Sequence, residues 1–162
     1  MEKKKLGFEF EVFDDIGELP DADAQLLAKA REVSRQAYAP YSHFRVGAAA
    51  RLSNGQVITG TNQENASFPA GLCAERVILA SAAALYPGIP IESIAVSYES
   101  DQIKSNRPIS PCGICRQSMQ EFQQRVGQPI RLILGGLEGK IFRIPDSVFL
   151  LPLAFTSDEL IN

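Results

Sequence analysis

The spacing of apolar residues along the chain predicts three helices. Apolar residues recur from Leu26 to Ala37 at the interval of one helix face, which predicts a helix over residues 22–38. The segment 74–85 is rich in alanine and leucine and predicts a second helix, and a third is predicted from residue 111 to about 124.

Runs rich in valine, isoleucine and leucine predict strands between these helices. Segments 46–52 and 56–61 flank Asn54-Gly55, a pair that favours a two-residue type I′ hairpin turn because both of its positions need a positive φ. Further strands are predicted at residues 94–98, 131–134 and 140–144. Strands that alternate with helices indicate an α/β domain with a mixed sheet covered by helices.

Residues 1–20 are expected to be an N-terminal extension of the folded domain, which is assigned to residues 21–162. Phe8, Phe10 and Val12 alternate with acidic residues, a pattern that predicts a short half-buried strand. Such a strand would add to one edge of the sheet.

The charge and the apolar content of the chain indicate which classes of binding partner to expect. The chain is 45% hydrophobic and 22% charged, with a net charge of −3, which is ordinary for a globular domain. This balance argues against a nucleic acid polymer as partner, because polynucleotide binders usually present a basic face. No apolar run is long enough to cross a bilayer, and acidic residues interrupt the segment after Lys3-Lys4-Lys5. Neither a membrane partner nor a signal peptide is predicted, and the expected location is cytoplasmic.

The three cysteines are the candidates for metal binding. Cys112 and Cys115 are three residues apart at a predicted helix start, and Cys73 lies at the start of another. Three thiolates at two helix N-termini can hold one Zn²⁺ and leave its fourth position to water, the pattern of a catalytic zinc site. His43 is the one candidate for a fourth ligand, and it would close the site. A redox pair of thiols and a purely structural zinc module are the alternatives.

Two residues next to Cys73 are candidates for the accompanying chemistry. Glu75 is a candidate general acid and base, although a glutamate that stabilises the helix dipole is the simpler alternative. Residues two apart on a regular helix point about 200° apart, so the two side chains share one site only if Cys73 precedes the first turn. Arg76 is expected to donate to the sulfurs and offset their negative charge, with Arg116 as a weaker candidate.

Five segments in order resemble motifs of the cytidine deaminase family, and they lie at residues 41–49, 62–66, 71–76, 110–117 and 150–155. Cys-Ala-Glu followed by Pro-Cys-x-x-Cys is the arrangement that zinc nucleobase deaminases place around their metal. The resemblance implies a three-layer α/β domain with a mixed five-stranded sheet and one zinc ion per subunit. It also implies a homotetramer with shared active sites that deaminates cytidine and 2′-deoxycytidine in pyrimidine salvage.

The resemblance also assigns roles to individual residues. Glu75 would move the protons, Asn62 and Glu64 would hold the ribose hydroxyls, and Phe44 would pack against the base or ribose. The backbone at Ala74 would bind the pyrimidine edge. Two aromatic residues would close the site from neighbouring subunits, namely Phe68 and Phe155.

Related activities are the closest alternatives to this function. A deaminase of a blasticidin-type nucleoside antibiotic shares the zinc motifs, but the Asn62-x-Glu64 pair favours a free ribose. A polynucleotide editor usually has histidine as its first ligand, where this chain has Cys73. At Arg45 and Phe68 the chain departs from the proline and tyrosine that are frequent in the family, so the resemblance does not determine the substrate range or the subunit contacts.

Overall fold

Six strands form one mixed sheet in the computed structural model, which describes residues 1–160. The strands are β1 (Glu11–Phe13), β2 (Phe44–Leu52), β3 (Val57–Thr61), β4 (Ile91–Ser100), β5 (Arg131–Gly135) and β6 (Ile141–Ile144). The helices are α1 (Asp21–Ser34), α2 (Ala74–Leu85) and α3 (Gly113–Val126). The strand order is β1-β6-β5-β4-β2-β3, in which β4 and β5 are parallel and every other neighbouring pair is antiparallel. Residues 161 and 162, at the end of the predicted 21–162 domain, lie outside the described part.

The two faces of the sheet carry separate hydrophobic cores. Along β2, Ala48 and Ala50 point into the core beneath α2 and α3, whereas Ala49 points into the core beneath α1. This alternation follows from the two-residue period of a strand. The structure therefore has three layers, as predicted, with one helix on one face and two on the other.

The parallel pair β4 and β5 determines where α3 begins. Parallel neighbours need a long crossover connection, and here α3 supplies it. The helix lies on the same face as α2, and the two helices contribute Ala74 and Cys115 to one core. The N-terminal turns of α2 and α3 thereby come together on one face of the sheet.

The sheet has six strands, whereas five were predicted, because the N-terminal extension supplies an additional strand at one edge. β1 pairs antiparallel with β6, with Glu11 opposite Arg143 and Phe13 opposite Ile141. The Glu11 carboxylate accepts a hydrogen bond from Arg143 Nη1 at 2.9 Å. The strand covers only residues 11–13, and upstream of it the ring of Phe10 packs edge-on against Phe142, with centroids 4.9 Å apart.

The hairpin between β2 and β3 forms where it was predicted, but its turn is not of type I′. Gly55 has a φ of +82°, whereas Asn54 is not in the left-handed region. The loop is longer than two residues, since Leu52 N donates to Gln56 O and Gly55 N donates to Leu52 O, each at 2.9 Å. In such a loop a single left-handed glycine is sufficient.

Gly47 lies where β2 passes closest to α1. A Cβ added at this position would lie 2.1 Å from Ala30 O and 2.6 Å from Ser34 N, both backbone atoms of the helix. We expect Gly47→Ala to lower the free energy of unfolding by about 1–3 kcal/mol, because the helix must move off the sheet. Urea denaturation of Gly47→Ala and of Gly7→Ala, an exposed glycine with no neighbouring atom within 4 Å, measures the difference. Equal midpoints for the two variants would contradict the close packing.

No helix among residues 1–160 is long and apolar enough to cross a membrane.

Candidate active site

Two helix N-termini position the three cysteines. Cys73 is the N-cap of α2 and Cys112 is the N-cap of α3, and both have an extended backbone. The carbonyl of Cys73 accepts from Arg76 N at 3.0 Å, so the first backbone hydrogen bond of α2 begins at Cys73 itself. Cys115 lies in the first turn of α3 and is fully buried. Each thiol therefore lies at the positive end of a helix dipole, which favours the thiolate form.

The spacing of the three sulfurs suits one zinc ion. Cys73 Sγ lies 3.7 Å from Cys112 Sγ, which lies 3.4 Å from Cys115 Sγ, and all three atoms lie within 4.8 Å of one another. Zinc bonds sulfur at about 2.3 Å with tetrahedral geometry, so its sulfur ligands are about 3.8 Å apart. Only small adjustments separate the observed positions from that geometry. The prediction that these three cysteines are positioned to bind one metal ion is confirmed.

No fourth protein ligand joins the centre within the described range 1–160. The three cysteines are the only group of histidine, cysteine and acidic residues there that is close enough to hold an ion. His43 is exposed, and its Nδ1 lies 3.9 Å from Asp101 Oδ2. The alternative in which His43 closes the site is therefore wrong, and the arrangement is that of an open site.

Glu75 lies beside the metal centre at the second position of α2. Cys73 has the extended backbone of an N-cap rather than a helical one, so the condition for the two side chains to share one site is met. Glu75 is only 5% exposed. Burial raises the pKa of its carboxyl, and the nearby Cys73 thiol adds to this effect. A carboxyl with a raised pKa is suited to accept a proton and to return it.

The thiols themselves differ in acidity. Hydrogen bonding from Cys115, and then from Cys112, lowers the pKa of Cys73 to about 6, with help from the positive charge of Arg76 and against the effect of burial. The hydrogen bond to Cys73 and burial raise the pKa of Cys115. Of these two thiols, the partly buried Cys73 is therefore the more acidic.

The two arginines near the cysteines bond to backbone carbonyls. Arg76 Nη1 lies 3.5 Å from Gly71 O, and its predicted role as a hydrogen-bond donor to the sulfurs stays a prediction. Arg116 Nε donates to Pro111 O and Nη1 donates to Leu150 O, both at 2.8 Å. Arg116 therefore fastens the segment before α3 to the C-terminal part of the chain.

A cavity of about 730 Å³ opens next to the cysteines. Its volume lies in the range of small-molecule sites. The structure brings most of the predicted site residues to its wall, namely Phe44, Asn62, Glu64, Phe68, Cys73, Ala74, Glu75, Arg76 and Cys112. Phe155 is not part of the wall; it is 58% exposed, and its carbonyl accepts from Gln117 Nε2 at 2.8 Å.

Asn62 is bound to the backbone of β2. Its Oδ1 accepts from Val46 N at 2.7 Å, and its Nδ2 donates to Phe44 O at 2.9 Å. The Phe44 ring in turn stacks on the buried Tyr98, with centroids 5.1 Å apart. One further N–H of the Asn62 amide is left to contact a ligand. The residue thus positions Phe44 in addition to any role with substrate.

Ser42 is a wall residue that the sequence motifs did not single out. Its hydroxyl donates to Glu64 Oε1 and accepts from Phe44 N, two residues later in the chain. A serine that bonds the backbone two residues on is typical of a side-chain turn, and this is the only local signal in the sequence. The partner, Glu64, is 22 residues away in the sequence, so the spacing of motifs gives no hint of the contact.

Comparisons with known proteins agree with this geometry. A sequence profile for the cytidine and deoxycytidylate deaminase zinc-binding region matches residues 20–127. The cytidine deaminase of Halalkalibacterium halodurans is 40% identical over 139 residues, which is 85% of this chain and 98% of that protein. The cytidine deaminase of Mycobacterium tuberculosis is 36% identical over 117 residues, covering 70% of this chain and 84% of the relative. The crystal structure of cytidine deaminase from Burkholderia pseudomallei has a TM-score of 0.70 at 39% identity, over 81% of this chain and 97% of the other. The chain therefore belongs to the cytidine and deoxycytidylate deaminase family, with Cys73, Cys112 and Cys115 positioned to bind its zinc ion.

Proposed function

We propose that this protein hydrolytically deaminates cytidine and 2′-deoxycytidine, releasing ammonia and forming uridine and 2′-deoxyuridine. The observation that carries the proposal is the buried Glu75 beside an open three-cysteine centre, on the wall of a cavity of nucleoside size. A structural zinc site would use a fourth protein ligand and would need no buried carboxyl at its side. The relatives from Halalkalibacterium halodurans and Mycobacterium tuberculosis, both named cytidine deaminases, support the same reaction.

The metal and Glu75 have separate tasks in this reaction. When bound, zinc supplies Lewis acidity that lowers the pKa of a water molecule at the centre. Glu75 accepts one proton from the attacking water and donates it to N3 of the pyrimidine while the water oxygen bonds to C4. Glu75 then takes the remaining hydroxyl proton and donates it to the amino group. The C4–N bond breaks, ammonia leaves, and a carbonyl remains at C4.

The cavity wall orients the nucleoside. Phe44, fixed by Asn62 and by stacking on Tyr98, offers a flat apolar face to the base or the ribose. The Glu64 carboxylate and the remaining amide N–H of Asn62 are suited to the ribose hydroxyls. The backbone at Ala74 lies beside Glu75 and is suited to the polar edge of the pyrimidine.

The active form is proposed to be a homotetramer with shared active sites. Phe68, on the cavity wall, is 78% exposed, and Phe155 is 58% exposed outside it. Aromatic rings exposed next to a binding cavity favour an interface between subunits. Participation in pyrimidine salvage and a cytoplasmic location stay predictions from the sequence.

Substrate competition tests the proposed function against its nearest rivals. We expect the zinc-loaded protein to convert cytidine and 2′-deoxycytidine. For blasticidin S and for cytosine in single-stranded DNA, kcat/KM should be at least about 100-fold lower than for these nucleosides. The reason is that the Asn62 and Glu64 side chains require free sugar hydroxyls, and a site with unpaired polar groups rejects an analogue that lacks their partners. Mass spectrometry of the products with equal enzyme and substrate measures the four rates. Preferential conversion of blasticidin S, or of the polynucleotide, would replace the proposed function by that alternative.

A further inference from the structure

The loop of residues 41–43 encloses the carboxylate of Glu64. Tyr41 N donates to Glu64 Oε2 at 2.9 Å, and Ser42 N is 3.3 Å from the same oxygen. The Ser42 hydroxyl donates to the other oxygen, Oε1. Three protein donors from two adjacent residues therefore hold one carboxylate, and both oxygens are fixed in position.

The Ser42 hydroxyl connects Glu64 to the aromatic wall of the cavity. While it donates to Glu64, its oxygen accepts from Phe44 N at 3.1 Å. Between them, His43 has a φ of +53°, in the left-handed region that a residue with a Cβ rarely adopts. Such a conformation costs energy and persists only where surrounding bonds enforce it. The bonds at Glu64 and the bond from His43 N to Ala39 O, at 3.1 Å, are the ones that enforce it here.

The Glu64 carboxylate has one hydrogen-bond acceptor position left for a ligand. An ionised carboxylate has about four acceptor positions, and the loop occupies three of them. The unused position belongs to Oε1, the oxygen that accepts from the Ser42 hydroxyl. Both Ser42 and Glu64 lie on the wall of the cavity. The carboxylate can therefore accept one hydroxyl, from a direction that the Ser42 hydroxyl determines.

We propose that Ser42 is a positioning residue that directs the free acceptor of Glu64 toward one sugar hydroxyl of the nucleoside. This inference rests on the proposed function, in which Glu64 contacts the sugar. Ser42 itself does not contact the reacting atoms. Its effect on the reaction should therefore depend on whether the substrate carries the hydroxyl that Glu64 accepts.

Ser42→Ala is the direct test, with cytidine and 2′,3′-dideoxycytidine as paired substrates. Because the sugar contact exists in both the bound substrate and the transition state, we expect its loss to raise KM for cytidine about 3- to 10-fold with kcat little changed. For the dideoxynucleoside, which lacks the 2′ and 3′ hydroxyls, neither constant should change. Ser42→Thr keeps the hydroxyl and should restore the KM for cytidine. Ser53→Ala, at the exposed β2–β3 turn, is the matched control.

Glu64→Gln and the double variant distinguish failure of this inference from failure of the proposed function. If Glu64 contacts the sugar, Glu64→Gln should lower kcat/KM for cytidine and spare the dideoxynucleoside, and adding Ser42→Ala should cause little further loss. Equal loss on both substrates in Glu64→Gln would remove Glu64 from the sugar site, and with it that part of the proposed function. Suppose instead that Glu64→Gln shows the expected selective loss on cytidine, whereas Ser42→Ala lowers kcat/KM equally for both substrates. That result would overturn the positioning role of Ser42 alone.

Discussion

Glu75→Gln is expected to bind zinc with full stoichiometry and to lose nearly all turnover of cytidine. Glutamine keeps the size of the side chain and the hydrogen-bonding oxygen, but it cannot accept and return a proton. Proton transfer by a positioned side chain contributes about 10²–10⁴-fold, and here one group serves more than one transfer, so kcat should fall by at least that factor. Steady-state kinetics by ultraviolet absorbance, with zinc measured by mass spectrometry of the same sample, test both halves of the prediction.

The matched control for this variant is Glu121→Gln on the exposed face of α3. It removes the same charge from the same kind of element, away from the cavity, and should leave kcat within about twofold, since exposed substitutions rarely disturb a fold. Turnover retained in Glu75→Gln would remove this residue from the mechanism. Loss of zinc in that variant would instead show that the carboxyl supports the metal centre.

The metal centre was the most predictable part of the molecule, because its signal is local. Cys112 and Cys115 are separated by one helical turn, and Cys73 directly precedes a helix whose predicted bounds, 74–85, are those observed. A cysteine N-cap at one end and Pro87-Gly88 just beyond the other define that helix without reference to the rest of the chain.

Features that depend on distant parts of the chain were not predictable in the same way. The helix predicted over 22–38 ends at Ser34, because Tyr38 turns away to bond with the segment after β3. Tyr38 N donates to Asn62 O at 3.2 Å, and Glu64 N donates to Tyr38 O at 2.8 Å. These bonds outweigh the local helix preference, and no periodicity in the sequence indicates them.

The pairing partner of the N-terminal strand and the Ser42–Glu64 contact were not predicted, for the same reason. The partner of β1 is β6, more than a hundred residues later in the chain, and edge pairing depends on which backbone groups are left free. Glu64 was assigned to the ribose by resemblance alone, and only the folded loop shows that Ser42 holds it. Roles assigned by motif identify the residues of a site, whereas the three-dimensional contacts identify the residues that orient them.

Loss of the metal is the second change expected to have a very large effect. Cys112 is exposed, so Cys112→Ser removes one thiolate at little cost to the hydrophobic core, unlike a change at the buried Cys115. We expect this variant to lose zinc and at least about 100-fold in kcat/KM, because Glu75 then has no activated water from which to accept a proton. Ser118→Ala, on the same helix, should retain both properties, since its hydroxyl only donates to Ile114 O within α3.

Zinc titration of the chelator-stripped protein tests whether deamination of cytidine depends on one bound zinc ion per chain. Uridine formation from cytidine is followed by ultraviolet absorbance while zinc is returned in measured equivalents. We expect no turnover in the stripped protein and a linear recovery that ends at one zinc ion per chain, with no recovery in Glu75→Gln or Cys112→Ser. Turnover that does not depend on zinc, or full zinc binding with no conversion of cytidine by the unmodified protein, would rule out a zinc-dependent cytidine deaminase.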